Sequence, residues 1–209
     1  MAITELLLPT FKTDPSSIAN FAFQAPSLFA HFRGVRGLQS FFRGRIVAEN
    51  GEAVDGDSGR GVLILEWDDI SSFHSFYPDS PTFQAFLAVA KQFVTEREYP
   101  ELFGTITSSV PCAEASVTQI VKVLEGPETE EIWNRLRALL EGQGFGAGGF
   151  SSARGIEEQR GYFLGMVGWQ NLEDYERSRT SVDVVGALRE LGAGGVILDL
   201  VVQMERIAV

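Results

Sequence analysis

The residues that can move a proton come first. The chain carries two histidines, His31 and His74, and one cysteine, Cys112. In the run ISSFHSFY (70–77), Ile70, Phe73, His74 and Tyr77 fall at i, i+3, i+4 and i+7. Read as a helix, this spacing puts His74 on the inward face between Ile70 and Tyr77. A neutral imidazole there can take a proton from a phenol or from a carbon next to a carbonyl. Tyr77, one turn on, can donate to the enolate that develops. The alternative for His74 is a buried ring bonded to a backbone carbonyl. His31 projects almost opposite Ile18, Ala22 and Phe29, and reads as solvent-facing or as a cation at a helix C-terminus. Glu66 ends a strand that is otherwise apolar on both parities. Buried, its carboxyl would have a raised pKa and could act as a base; otherwise it pairs with Arg43 or Arg45, or is exposed at the strand end. Trp67 follows it at a strand-to-helix junction, as core or as pocket wall.

Other chemistry has no signature. There is no GxSxG, no HExxH, no phosphate loop and no Cys/His pair at metal spacing. No metal site is expected. The glycines of GFGAGG (144–149) lack the register and following helix of a nucleotide loop, and read as permitting a bulge or tight bend. A single cysteine excludes an intramolecular disulfide and a multi-cysteine zinc site, and fits a reducing compartment.

The aromatic residues are unevenly spread. Thirteen of the 16 Phe, and both His, lie in the first half of the chain, whereas 14 of the 22 Gly lie in the second. Phenylalanine offers bulk without a polar handle, so the first half can line an apolar, aromatic-walled cavity. Trp67, Phe73, Phe83 and Phe86, with Glu66, are the candidate substrate-binding residues of such a pocket. The alternative is a well-filled core.

Charge narrows the partners. Twenty-eight acids against 17 bases give a net charge of −11 in 209 residues, which argues against nucleic acid or an anionic membrane. No run of 18 apolar residues and no basic leader is present. The expectation is a cytoplasmic protein whose partner is a hydrophobic small molecule.

Periodicity places these residues on elements. TELLLPTFK (4–12) reads as a strand. Asp14-Pro15 marks the start of a helix, within which Pro26 should kink or split the turns. The segment 37–51 alternates as a strand, with Leu38, Phe42 and Ile46 on one face and Gln39, Arg43 and Arg45 on the other. A polar turn follows at 52–60. GVLILEWDD (61–69) is apolar on both parities and should be covered on both faces. Helical patterning resumes after Asp69 and again at Ser80-Pro81, with Phe83, Phe86, Leu87, Ala90, Phe93 and Val94 as the buried stripe. LFGTITSSV (102–110) closes a β-α-β-β-α-β order, the ferredoxin-like plan.

The rest of the chain repeats that order. Strands are expected at 114–126, near 146–157, at 161–171 and at 194–207. Helices are expected from Pro127, with Ile132, Trp133, Leu136, Leu139 and Leu140 as its stripe, and over 172–191. The halves align best at GVLILEWDD and FLGMVGWQN, each closing on a tryptophan, Trp67 and Trp169. A four-stranded sheet with helices on one face leaves its other face bare. The expected architecture is therefore α+β: two ferredoxin-like halves, 1–110 and 113–209, fused in one chain with their sheets packed as a barrel and helices outside. The fusion supplies its own partner, so a monomeric pseudo-dimer is expected, with a homodimer as the alternative.

The element order, the strand LILEWDD running into a helix and the Ser-Pro restart with its Phe repeats resemble the dimeric α+β barrel superfamily. That superfamily includes antibiotic-biosynthesis monooxygenase-like and stress-responsive barrel domains, and its tandem fused form resembles fungal natural-product pathway proteins. The sharpest shared element is Trp67, His74 and Ser80; the second half keeps Trp169 but has Glu176 near the histidine position. The resemblance implies an enzyme of secondary metabolism that acts on an apolar aromatic or polyketide-like substrate. It would use acid–base chemistry of cyclase, isomerase or lyase type at His74 and Tyr77, with no cofactor and a site in the first half. The alternatives are a cofactor-free monooxygenase of phenols or hydroquinones, a non-catalytic ligand-binding or stress-response barrel, and a haem protein using His74 as axial ligand.

Overall fold

The computed structural model describes residues 1–56, 58–95 and 99–209. The first strand, β1 (Ile3–Leu7), stops before Pro9, which has no N–H to add to a ladder; beyond it only isolated bridges remain, Thr10 with Arg60 and Phe11 with Val94. Asp14 caps α1 (Pro15–Phe29) by accepting from the Ser17 N–H. Pro26 does not split this helix, which runs on to Phe29 and tightens into a 3₁₀ turn at Ala30–Phe32. Next come β2 (Leu38–Glu49), the two-residue β3 (Glu52–Ala53) and β4 (Gly61–Trp67). The β2–β3 turn is Asn50-Gly51, both at positive φ, as a tight hairpin requires. The polar loop 52–60 holds residue 57, which lies outside the described residues.

Asp69 and Ser80 cap α2 (Ile70–Phe76) and α3 (Pro81–Ala90) with their side chains. Strand β5 (Glu101–Thr107) and the short α4 (Val110–Ala113) lead into β6 (Val117–Leu124). The chain finishes with α5 (Thr129–Gly142), β7 (Phe150–Gly155), β8 (Tyr162–Trp169), α6 (Leu172–Ser178), α7 (Val182–Leu191) and β9 (Val196–Ile207). No described helix is long and apolar enough to cross a membrane.

The strands form one antiparallel sheet in the order β3-β2-β4-β1-β5-β7-β8-β6-β9, and β9 pairs back onto β2. Eight strands thus close into a barrel, and β3 hangs on β2 as a two-residue edge. The quartets β2-β4-β1-β5 and β7-β8-β6-β9 have the same internal order.

Each strand presents one face to the barrel interior and one to the helices. The interior is packed with Leu6, Phe42, Ile46, Ile64, Ile120, Leu200 and their neighbours. Cys112 is buried there, its thiol against the Met166 carbonyl, and burial pushes its pKa up to about 12. The outer face carries two separate cores. Ile3, Phe41, Leu65 and Trp67 lie under α1, α2 and α3; Val117, Val121, Val167 and Trp169 lie under α5 and α7.

Two expected strand details change. Leu38 does not share a face with Phe42 and Ile46: a register shift between Leu38 and Ser40 turns it to the helix side with Phe41. The glycines at 144, 146 and 149 take positive φ in the turn before β7 and are not part of a bulged strand.

Two substitutions of opposite sign test the packing. A Cβ at Gly165 would lie 2.5 Å from the buried Trp133 ring, so Gly165→Ala should cost about 1–3 kcal/mol. Gly186, within α7, has nothing within 4 Å of such a carbon, so Gly186→Ala should add about 0.5–1 kcal/mol of helix propensity. Urea unfolding midpoints measure both.

Candidate active site

Between the outer face of the first strand quartet and helices α1–α3 lies a cavity of about 240 Å³. Phenylalanines from each of the helical elements wall it, among them Phe21 and Phe29 from α1, Phe32 from the 3₁₀ turn, Phe76 from α2 and Phe83 and Phe86 from α3. Leu63 and Leu65 of β4 form its floor with Leu7 and Glu5 of β1.

Glu5 is the chemical centre of this space. It sits on the helix-facing side of β1 with Ile3 and Leu7, because alternate residues of a strand share a face. Its exposure is 6%. One oxygen, Oε2, accepts a hydrogen bond of 2.8 Å from the Trp67 indole N–H. The other, Oε1, receives none from the described residues and is left to the cavity. Burial among apolar side chains pushes the Glu5 pKa up to about 7, against the lowering effect of the indole bond. Near neutral pH the group can therefore both take up and release a proton.

Trp67 is held to fix that carboxyl. It is fully buried, edge-on to Phe73 at 5.9 Å and tilted against Phe76 at 5.5 Å. Tyr77 caps the end of α2 and lines the same cavity. Its ring stacks on Phe73 and meets Phe83 edge-on. A phenol and a carboxyl thus share an otherwise greasy chamber.

The residues expected from the sequence are divided by the structure. Tyr77, Phe83 and Phe86 line the cavity. Trp67 and Phe73 do not; they stand behind Glu5 and Tyr77. His74 is not inward: its side chain is 49% exposed, and Nε2 lies 2.8 Å from Glu157 Oε1 of the second half. The cause is the length of α2. That helix ends at Phe76, Tyr77 is already extended, and the buried face is set by Phe73 and Phe76, so a projection to i+7 runs past the helix. Glu66 also turns away from the cavity. It is buried, pairs with neither Arg43 nor Arg45, and accepts from the hydroxyls of Ser108 and Ser109 and from the Ser109 backbone N–H. It anchors the entry to α4 and is not exposed at the strand end.

Sequence reasoning passed over Glu5, although a signal existed. Ile3 faces Trp67 across the β1–β4 ladder, and Val117 faces Trp169 across β6–β8. The segments Ile3-Thr4-Glu5 and Val117-Thr118-Gln119 therefore occupy matching places, with a carboxyl in one and an amide in the other. In the second half Gln119 donates instead to Asp199, at 2.8 Å, and the Trp169 N–H has no partner among the described residues. Trp133, Leu136, Leu140 and Val184 fill the space that is open in the first half.

Among the described residues, the cavity lining includes no histidine, cysteine or methionine. His74, the ligand that a haem would need here, lies outside it, so the residues do not fit that group. Among the described residues no cluster of three or more His, Cys, Asp or Glu is placed to hold a metal.

No protein-family model matches the sequence, and no curated protein matches it either. Solved structures do match along nearly the whole chain. An anthrone oxidase-like protein superposes with a TM-score of 0.62 at 15% identity, covering 99% of this chain and 95% of that one. A protein of Lactobacillus acidophilus NCFM, provisionally named a monooxygenase, gives 0.58 at 12%, covering 98% and 93%. A mutant chlorite dismutase of Candidatus Nitrospira defluvii gives 0.56 at 8%, covering 98% and 91%. At these identities the likeness is one of fold.

The raised Glu5 pKa predicts a stability signature. The folded state holds this proton more tightly than the unfolded chain does, so its contribution is present in full below about pH 4.5 and is lost as pH rises through about 7. Glu5→Gln removes the ionisation. Relative to the parent, the variant should gain roughly 2–3 kcal/mol between pH 5 and 8. Urea unfolding at the two pH values reads the difference.

Proposed function

We propose that this protein is a cofactor-independent enzyme that binds an apolar aromatic molecule in the first-half cavity and removes a proton from it with Glu5. The observation that carries this reading is the buried Glu5 carboxyl with one oxygen held by Trp67 and the other facing aromatic walls. In this reading Glu5 Oε1 accepts a proton from a phenol or from a carbon made acidic by an adjacent carbonyl or ring system. The indole fixes the carboxylate so that its free oxygen is aimed. Tyr77 donates to the oxyanion that develops. The phenylalanine walls keep water from quenching the anion.

We take the anion's partner to be dioxygen. The structural similarity to an anthrone oxidase-like protein and to a provisionally named monooxygenase favours this over ring closure or isomerisation. For a substrate with an activated CH₂ group, the carbanion attacks O₂ to form a peroxide. A second C–H proton is then lost and the O–O bond breaks. One oxygen stays as the new carbonyl and the other leaves as water, so that CH₂ and O₂ become C=O and H₂O. The carbon is oxidised by four electrons and O₂ is reduced by four, with no external reductant. If turnover proceeds without oxygen uptake, the cyclase or isomerase reading takes its place.

We also infer that the chain is a tandem fusion of two ferredoxin-like units, one bearing the site and one whose site has closed. The shared strand order and the matched Trp67 and Trp169 registers support this. In this reading barrel closure within one chain makes a monomer sufficient.

An oxygen electrode with 2-tetralone, a two-ring ketone with an activated CH₂ that suits a cavity of about 240 Å³, tests the function. Uptake should match product formation, and the rate should rise with pH through an apparent pKa near 7. Glu5→Gln should lower kcat by about 10²–10⁴-fold, whereas His74→Ala should keep parental turnover. Full activity in Glu5→Gln would overturn the assignment.

A further inference from the structure

The size and surroundings of the cavity say what else its ligand must carry, an inference that rests on the binding role proposed for it. A void of roughly 150 Å³ accommodates benzene, so about 240 Å³ has room for little more than a fused two-ring nucleus. One side of the chamber is a wall of three rings, with Phe21 5.1 Å from Phe11 and 5.3 Å from Phe93. The same three rings, with Leu63, also line an open groove of about 680 Å³. That groove lies over the seam of β2 and β9, beside the start of α1.

Its chemistry is unlike that of the chain as a whole. On a protein of net charge −11, Lys12, Arg43, Arg45 and Arg60 converge here against one lining carboxylate among the described residues, Glu205. Arg43 is ion-paired to Glu205, and Arg60 to Glu49. The other two cations meet only neutral acceptors among the described residues. Arg45 donates to the Gln203 side-chain oxygen at 3.0 Å, and the Lys12 ammonium to the Gln92 carbonyl at 2.8 Å. A guanidinium has five N–H donors and an ammonium three, so both keep donors for a ligand.

We propose that the groove receives an anionic substituent, a carboxylate, of the aromatic molecule whose ring system occupies the cavity, with Arg45 and Lys12 as its binding groups. The two compartments divide the ligand by polarity. An anion inside the cavity would face the Glu5 carboxylate in a medium with little screening, whereas in the groove it meets cations and solvent. The substrate class is then an amphipathic aromatic acid.

The test uses two unreactive probes of equal length, 3-(2-naphthyl)propanoate and 3-(2-naphthyl)propan-1-ol, titrated calorimetrically at pH 7.5. The acid should bind at least tenfold more tightly than the alcohol. In Lys12→Met/Arg45→Met the two should bind alike, with the alcohol unchanged from the parent. Raising salt to 0.5 M should weaken the acid alone. Equal binding of both probes to the parent, a preference that survives the double substitution, or no binding of the acid would each overturn the proposal. Neither probe has a proton for Glu5 to remove. A groove that passes while Glu5→Gln keeps full turnover therefore sinks the chemistry alone, and the reverse result sinks the groove alone.

Discussion

Closing eight antiparallel strands into a ring places every strand between two apolar layers. The interior is filled by side chains, so the enclosed space for a ligand lies between the barrel wall and the helices. Any polar side chain on that outer face is then taken out of water unless the helices leave a gap. Glu5 is such a residue, on a central strand, beneath α1, α2 and α3. Its unusual acidity follows from where closure puts it and needs no charged neighbour.

The two halves of the molecule resolve the same constraint differently. Where the first has Glu5 bonded to Trp67, the second has Gln119 turned to Asp199 and an indole N–H with no acceptor among the described residues. A buried amide is far cheaper than a buried carboxylate, and the second half has also filled its gap with Trp133 and leucines. A filled lobe and an open one thus share a single barrel. The packed lobe holds its share of the strands, and the open lobe bears the cost of a desolvated acid.

Much of the scaffold was legible because it is set by local rules. The helix starts at Asp14-Pro15 and Ser80-Pro81 are read from single residues and their neighbours, and both side chains accept a backbone N–H of the first turn. The double-sided apolar run at 61–67 announced a strand covered on both faces. What escaped depends on distant parts of the chain or on small shifts in register. His74 was misplaced because α2 stops one residue short of the projected turn. Leu38 changed face through a single register shift. Glu66 found serines more than forty residues away. Glu5 looked like an ordinary charge near a terminus, since nothing local says that three helices cover it.

The lone thiol offers a last consequence. Cys112 is sealed inside the barrel and held protonated. It sits on α4, so alkylating reagents in solution can reach it only when α4 lifts from the barrel or the strands part. The pace at which such a reagent modifies the native protein is therefore a clock for opening at that end of the barrel, and one that side-chain motion around the outer cavity leaves untouched.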